Sequence, residues 1–282
     1  MMKQPGWDED RRIRFHGDHG PPVIALHGGP GAFGGAVRLA RGLSREFRVI
    51  EPWQRPSGDM PLTVAVHVED LHNLILSRFN DERPALVGSS WGAMLALAYA
   101  AEHPDSITAI VLVGCGTFDK ASRDVIVRKR RRKIVDHISK HPEHKADLRL
   151  DIGEQMMKWH SMTDVYEAVA DSDELPEAEP FDMQGHTETW HDMVRCQQTG
   201  VYPQSFISIG VPAIMLHGAD DPHPGRMTRD ILSQYIPHLE YHEFSRCGHD
   251  PEIEKYAKDE FFAIMSHWLR RVFSTTHEPQ QG

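Results

Sequence analysis

Val87-Gly88-Ser89-Ser90-Trp91-Gly92 is the stretch from which this chain is read. It has the form Gly-x-Ser-x-Gly, with Ser90 in the nucleophile position. The apolar run Pro84-Ala85-Leu86-Val87 enters it as a short buried strand, and the small-residue run from Ala93 to Ala101 leaves it as a buried helix. A strand that becomes a helix within a few residues strains the residue at the corner and pushes its hydroxyl out at the top of a sheet. Gly88 and Gly92 flank the corner because a Cβ at either site collides across so tight a turn. The helix start behind Ser90 offers free N–H groups and a positive dipole end to developing negative charge. Taken alone, the pentapeptide also fits an ordinary strand-to-helix loop, so the rest of the chain must decide.

Outward from the elbow, strands and helices alternate. Arg12 to Phe15 reads as a short edge strand, and Pro22 to Leu26 as a strand buried on both faces. A helix from Gly35 to about Glu46, a strand Phe47 to Ile50, a loop Glu51 to Asp59 and a helix Thr63 to Phe79 with Thr63 as cap precede the elbow. Ile107 to Val113 is the next buried strand. Alternation resumes at Pro212 to His217, followed by a helix near Met227 to Tyr235, a strand Leu239 to Phe244 and a last helix from about Glu254 to Val272. The pattern predicts an α/β protein with a mostly parallel, doubly wound sheet. The stretch between, about 118–209, is polar and helical, and reads as a helical cap inserted into the sheet. The expected division is therefore core 1–117, cap 118–209, core 210–273 and a disordered tail 274–282.

Composition narrows the function classes. Of the 282 residues, 40% are hydrophobic, which suits a folded core. No apolar run spans a bilayer and the start has no signal region, so a cytoplasmic protein is expected, without a membrane partner. Cys115, Cys196 and Cys247 read as reduced thiols. A net charge of −10 argues against nucleic acid. The run Arg128-Lys129-Arg130-Arg131-Arg132-Lys133 fits a nucleic-acid or targeting patch, and fits better a solvated helix face. Asp136, His137, His141 and His144 share one helix face at metal-ligand spacing, but without a closed ligand set they read as surface, and no metal or cofactor is expected.

A serine hydroxyl needs a base, and the base needs an orienting acid. With Ser first, the acid follows a late strand and the base follows the next one. Leu216-His217-Gly218-Ala219-Asp220-Asp221 offers the acid, Asp221 ahead of Asp220, and Cys247-Gly248-His249 offers the base. Two backbone N–H groups must face the oxyanion. Trp91 supplies one, and the loop His27-Gly28-Gly29-Pro30-Gly31 the other, through Gly29 with Gly28 as neighbour. The loop lacks the glycine spacing of a nucleotide site. Phe33, Trp53, Trp159 and Trp190 are candidates for an apolar substrate pocket, though each also suits ordinary packing.

These residues resemble the α/β-hydrolase superfamily and, within it, the prolyl aminopeptidase group. The resemblance is carried by residues 27–31, by Gly88-Ser89-Ser90-Trp91-Gly92 running into Leu95 to Ala100, by Gly218-Ala219-Asp220-Asp221 and by Gly248-His249. The group's Gly-x-x-Asp places the acid at Asp221. Where the group carries Asp-Gln-Arg-Gly, this chain has Glu51-Pro52-Trp53-Gln54-Arg55-Pro56-Ser57-Gly58, and Ala32 replaces a glycine. In that group cap glutamates bind the substrate's free amine, which directs attention to Glu167, Glu174, Glu177, Glu179 and Glu188. The resemblance implies a serine hydrolase acting on a small-molecule or short-peptide substrate, aminopeptidase-like. The rivals are a carboxylesterase or lactonase, a C–C bond hydrolase or haloperoxidase using the same three residues, and a non-catalytic binding protein. Oligomeric state is left open. Activity is expected to fall on the acid side as His249 protonates, near its ordinary pKa of about 6.5.

Overall fold

Seven strands form one sheet in the computed structural model, which describes residues 12–79, 82–149, 159–160, 162–169 and 180–276. They are β1 (Ile13–His16), β2 (Pro22–Leu26), β3 (Arg48–Pro52), β4 (Ala85–Ser89), β5 (Ala109–Val113), β6 (Ala213–Gly218) and β7 (Glu240–Phe244). Their spatial order is β1-β3-β2-β4-β5-β6-β7. β1 lies antiparallel on β3, and every other neighbour pair is parallel. The order reverses at β2, so the β2–β3 crossover passes on one face of the sheet and the crossovers after β3 on the other, as expected of a doubly wound sheet.

Side chains sort by the two-residue period of a strand. Ile24, Leu26, Leu86, Ile110, Leu112 and Met215 join one apolar cluster, with helices α2 (Val64–Arg78), α3 (Trp91–Glu102) and α6 (Gly225–Leu232) contributing to it. Val23, Ala25, Val87, Val111, Val113, Ile214 and Leu216 join the other, with α1 (Val37–Leu43) and α7 (Lys258–Thr276). Removing a large central side chain such as Leu112, which is fully buried, costs about 2–5 kcal/mol. α3 is buried from Trp91 to Ala100. Its alanines let it lie close against β4 and β5, which fixes where its first turn, and hence Ser90, stands.

The segment between β5 and β6 holds α4 (Lys120–Lys140) and α5 (Met183–Gln198). It does not stand off the core. Phe118, Met193, Cys196, Tyr202, Phe206 and Ile209 are buried in the first cluster. α2 begins where expected, with the Thr63 hydroxyl accepting from Val66 N at 3.3 Å. Several boundaries differ: α1 spans only Val37–Leu43, β5 starts at Ala109, α6 spans Gly225–Leu232 and α7 starts at Lys258, and two further differences have a structural reason or consequence. β3 runs on to Pro52, because Glu51 is fully buried between Arg14 and His16 of the antiparallel neighbour. α7 continues to Thr276, so the first three residues of the expected disordered tail are helical, and 277–282 lie outside the described residues. Among the described residues no helix is long and apolar enough to cross a membrane.

Candidate active site

Ser90 is the corner between β4 and α3 and has φ +52° and ψ −112°. A side chain in the left-handed region costs about 1–3 kcal/mol and persists only where the surroundings impose it. Here Ser90 N–H donates to Val113 O at 2.8 Å, and Ala93 and Met94 N–H close the first helical turn on Ser90 O. The flanking glycines are steric necessities. A Cβ at Gly88 would stand 2.2 Å from Gly92 O, and one at Gly92 2.3 Å from Leu26 O.

Residues 27–31 pass directly beside the serine, since a Cβ at Gly28 would lie 3.1 Å from Ser90 Cβ. Gly29 and Gly31 take φ of +52° and +86°. His27 is fully buried. Gln54 N–H donates to His27 Nε2 at 3.2 Å, so its proton sits on Nδ1, which donates to Gly28 O at 2.9 Å. Burial pushes its pKa down to about 4. Gln54 Nε2 donates back to His27 O at 3.1 Å, and Trp91 Nε1 donates to Gln54 Oε1 at 2.6 Å. The chain around Gln54 is anchored by Arg55 on Asp70 and by Ser57, whose N–H and hydroxyl donate to Asp182 at 2.6 and 2.8 Å.

Asp221 follows β6 and His249 follows β7. His249 Nδ1 lies 2.8 Å from Asp221 Oδ2. The two loops are bound together, with Ala219 N–H on Phe244 O and Asp220 N–H on Cys247 O. Asp220 itself faces solvent, while Asp221 is fully buried. The Asp221 carboxylate also accepts from His223 N and His223 Nδ1, each at 2.8 Å, and His217 Nε2 is 3.1 Å away. Burial opposes its charge, but the surrounding histidines hold its pKa well below the carboxylate range. The His223 ring stacks on His249 at 4.3 Å. Burial keeps His223 neutral, with its pKa down at about 4. His249 differs. Burial opposes its charge too, yet the charge and hydrogen bond of Asp221, with Asp250 and Asp164 nearby, raise it to about 9, well above the 6.5 expected from the sequence.

Residues 159–160 and 162–169 clamp this side of the site. His249 N–H donates to Asp164 O at 2.7 Å. The buried Glu254 carboxylate accepts from Gly248, Tyr166 and Glu167 N–H at 2.8, 2.7 and 2.8 Å. His160 bridges Asp250 (2.8 Å) and Asp164 (3.4 Å), and those carboxylates raise its pKa against its burial. Arg130 pairs with Asp164, Lys129 donates to Asp221 O at 2.8 Å, and Lys133 donates to Thr163 O. The basic run is therefore only partly the solvated face read from the sequence. Three of its side chains reach back, Lys129 to the Asp221 loop and Arg130 and Lys133 to residues 163–164, with partners 30 to 92 residues away.

Of the aromatic candidates, Phe33 stacks on Trp53 at 6.3 Å and meets His27 edge-on at 6.1 Å, beside the glycine loop. Trp159 is buried with its ring edge-on to His137. Trp190 packs against the main core. His137 and His144 share a contact of 2.8 Å between ring nitrogens, and His141 lies alongside. Among the described residues, Asp221, His223 and His249 are the one trio with ligand atoms all within 4.8 Å of each other, and their hydrogen bonds account for that closeness. Glu188 accepts from Leu62 N–H at the start of α2, and Glu167 pairs with Lys255. Glu174, Glu177 and Glu179 lie outside the described residues.

Gln54, His223, His160, Asp164 and Glu254 were not singled out from the sequence, and Lys129, Arg130 and Lys133 were read only as a charged run. Gln54-Arg55 does match the middle of the Asp-Gln-Arg-Gly segment, which was a usable signal. The clamp's partners left no such signal, because they are far apart in the chain.

A model of the α/β hydrolase fold family matches residues 21–256. A probable proline iminopeptidase of Streptomyces coelicolor is 34% identical over 127 residues, 39% of this chain and 38% of that protein. The chain thus spans less than half of that relative's length. A 2-hydroxy-6-oxo-2,4-heptadienoate hydrolase of Pseudomonas putida is 28% identical over 254 residues, 84% of this chain and 85% of that protein. The crystal structure of proline iminopeptidase from Mycobacterium smegmatis superposes with a TM-score of 0.63 at 18% identity, covering 94% of this chain and 95% of that one, a likeness of fold.

Proposed function

The chain belongs to the α/β hydrolase fold family, and from that premise we propose that it is a serine hydrolase that cleaves small esters or amides through an acyl-enzyme on Ser90. The observation that carries this reading is the strained corner at Ser90, with the glycine loop against its Cβ and a buried Asp221–His249 pair on the adjoining loops. His249 Nε2 takes the Ser90 proton while Nδ1–H remains on Asp221 Oδ2. The Ser90 oxygen attacks the carbonyl, and the N–H groups of Gly29 and Trp91 hold the oxyanion. His249 then protonates the leaving group, and a water deprotonated by the same ring releases the acid. Phe33 and Trp53 would flank the substrate beside Gly28.

An aminopeptidase-like specificity is the finer proposal, supported by relatives described as proline iminopeptidases. One observation favours a second reading, a short-chain ester without a free amine. Of the glutamates named for an amine site, both described ones are committed elsewhere, Glu188 to the α2 start and Glu167 to Lys255. The amine reading then falls to Glu174, Glu177 and Glu179. The test is turnover of a proline anilide, its N-acetylated form and a short acyl ester, each with Ser90→Ala as control. Turnover of the free-amine anilide, lost on acetylation, supports the aminopeptidase. Ester turnover alone supports the second reading. Undiminished turnover by Ser90→Ala would sink the mechanism, and silence on all three would put the non-catalytic reading in front.

A further inference from the structure

Both proposed oxyanion donors meet at one buried side chain. The peptide unit between Gly28 and Gly29 is planar, so its C=O and its N–H point in opposite directions as one rigid piece. His27 Nδ1–H holds that C=O at 2.9 Å, and so aims the Gly29 N–H. What holds His27 is Gln54. Its backbone N–H donates to Nε2 at 3.2 Å, and its side-chain amide donates to His27 O at 3.1 Å. The other end of the same amide accepts the Trp91 indole N–H at 2.6 Å, and Trp91 carries the second donor on its backbone. Gln54 is 7% exposed and its side chain uses its carbonyl and its amino group at once, one on each half of the hole.

We propose that Gln54 is the positioning residue of the oxyanion hole, setting the Gly29 N–H through His27 and the Trp91 N–H through its indole. The proposal rests on the reading of Ser90 as nucleophile. A neutral His27 is part of the device, because a proton on Nε2 would face the Gln54 N–H, and its burial keeps that proton off through the working pH range.

A side chain with this role matters more to the transition state than to the bound substrate. Gln54→Met keeps the volume and the backbone N–H on His27 Nε2 but loses both side-chain contacts, and Gln54→Glu keeps of those two only the acceptor for Trp91. Two probes are used, a p-nitrophenyl butyrate ester and a fluorophosphonate. The fluorophosphonate forms a Ser90 Oγ–P bond as the P–F bond breaks, releasing fluoride, with the serine proton passing to His249. Gln54→Met is expected to lose about 100-fold in kcat and in the rate of Ser90 labelling, with KM changed less than about threefold, the size expected for one misaligned oxyanion donor. Gln54→Glu is expected to lose about tenfold, on the same basis. Trp91→Phe keeps the backbone donor and cuts only the indole link. It is expected to lose about tenfold, and it serves should Gln54→Met fold poorly. Wild-type kcat and labelling in folded Gln54→Met, or a loss confined to KM, would overturn the proposal. Turnover and labelling that persist in Ser90→Ala would instead overturn the reading beneath it, so the two failures are told apart.

Discussion

The charge on His249 sets a pH dependence that can be worked through. In the free enzyme its pKa is raised to about 9, since Asp221, Asp250 and Asp164 outweigh the burial that opposes the charge. A general base must be neutral to accept the serine proton. For a pKa raised to 9, the imidazolium is fully present below pH 8 and is lost as pH rises through 9. About 1% of the enzyme is then competent at pH 7 and about half at pH 9, so kcat/KM is expected to climb roughly 50-fold between them. An ordinary histidine near 6.5 would give a rise of only about 1.3-fold over the same interval. The assay is kcat/KM from pH 5 to 10 on whichever probe depends on Ser90, with the Ser90→Ala rate subtracted for alkaline background. Asp250→Asn locates the cause. It keeps an oxygen for the 2.8 Å contact from His160 but removes one negative charge near His249, and should move the acid limb down by about one pH unit, equivalent to about 1.4 kcal/mol. A wild-type midpoint near 6.5, or a midpoint that Asp250→Asn leaves in place, would refute the reasoning.

Two further outcomes follow from the supports of the site. Gly92→Ala drives a Cβ to 2.3 Å from Leu26 O, and its nearest neighbours are all backbone atoms of Leu26 and His27, so urea denaturation should report a loss of roughly 3 kcal/mol or more, with activity gone. Glu254→Ala leaves the buried Gly248 N–H and the part-buried Tyr166 and Glu167 N–H groups without their carboxylate, and should cost about 2 kcal/mol in the same measurement, with Glu254→Gln intermediate.

What could be read from the sequence differs between the two sides of the site. The elbow and the glycine loop lie within residues 27–92, and their geometry depends on glycines whose absent Cβ atoms leave a trace in the sequence. The strands were legible because burial on both faces leaves near-continuous apolar runs. β3 was cut short in the reading because Glu51-Pro52 looks like a loop, and only the pairing of Arg14 and His16 with Glu51 makes a buried carboxylate tolerable there. On the other side, Asp221 and His249 were found by their order along the chain. What surrounds them was not, because the partners of Arg130, His160 and Glu254 lie 34, 90 and 88 residues away. A run of like charges is ordinarily solvated, and its pattern does not reveal which of its members turns inward.

That asymmetry bears on how a substrate enters. Residues 162–169 are tied to the His249 side of the site. They are bound to the base by His249 N–H on Asp164 O, and to the following loop by Val169 N–H on Ile253 O and Lys255 N–H on Glu167 O, each at 2.7–2.8 Å. Displacing them would remove the Asp164 O contact of the His249 backbone N–H. Among the described residues, no hydrogen bond ties Ser90 or residues 27–31 to this segment. Their link to the β5–β6 insertion runs through the start of α5, where Asp182 N–H donates to Gly31 O at 3.0 Å and the Asp182 carboxylate holds Ser57. Substitutions in 159–169 should therefore register first in the pH profile of His249, whereas substitutions around Asp182 should register in the oxyanion side, with the acid limb unmoved.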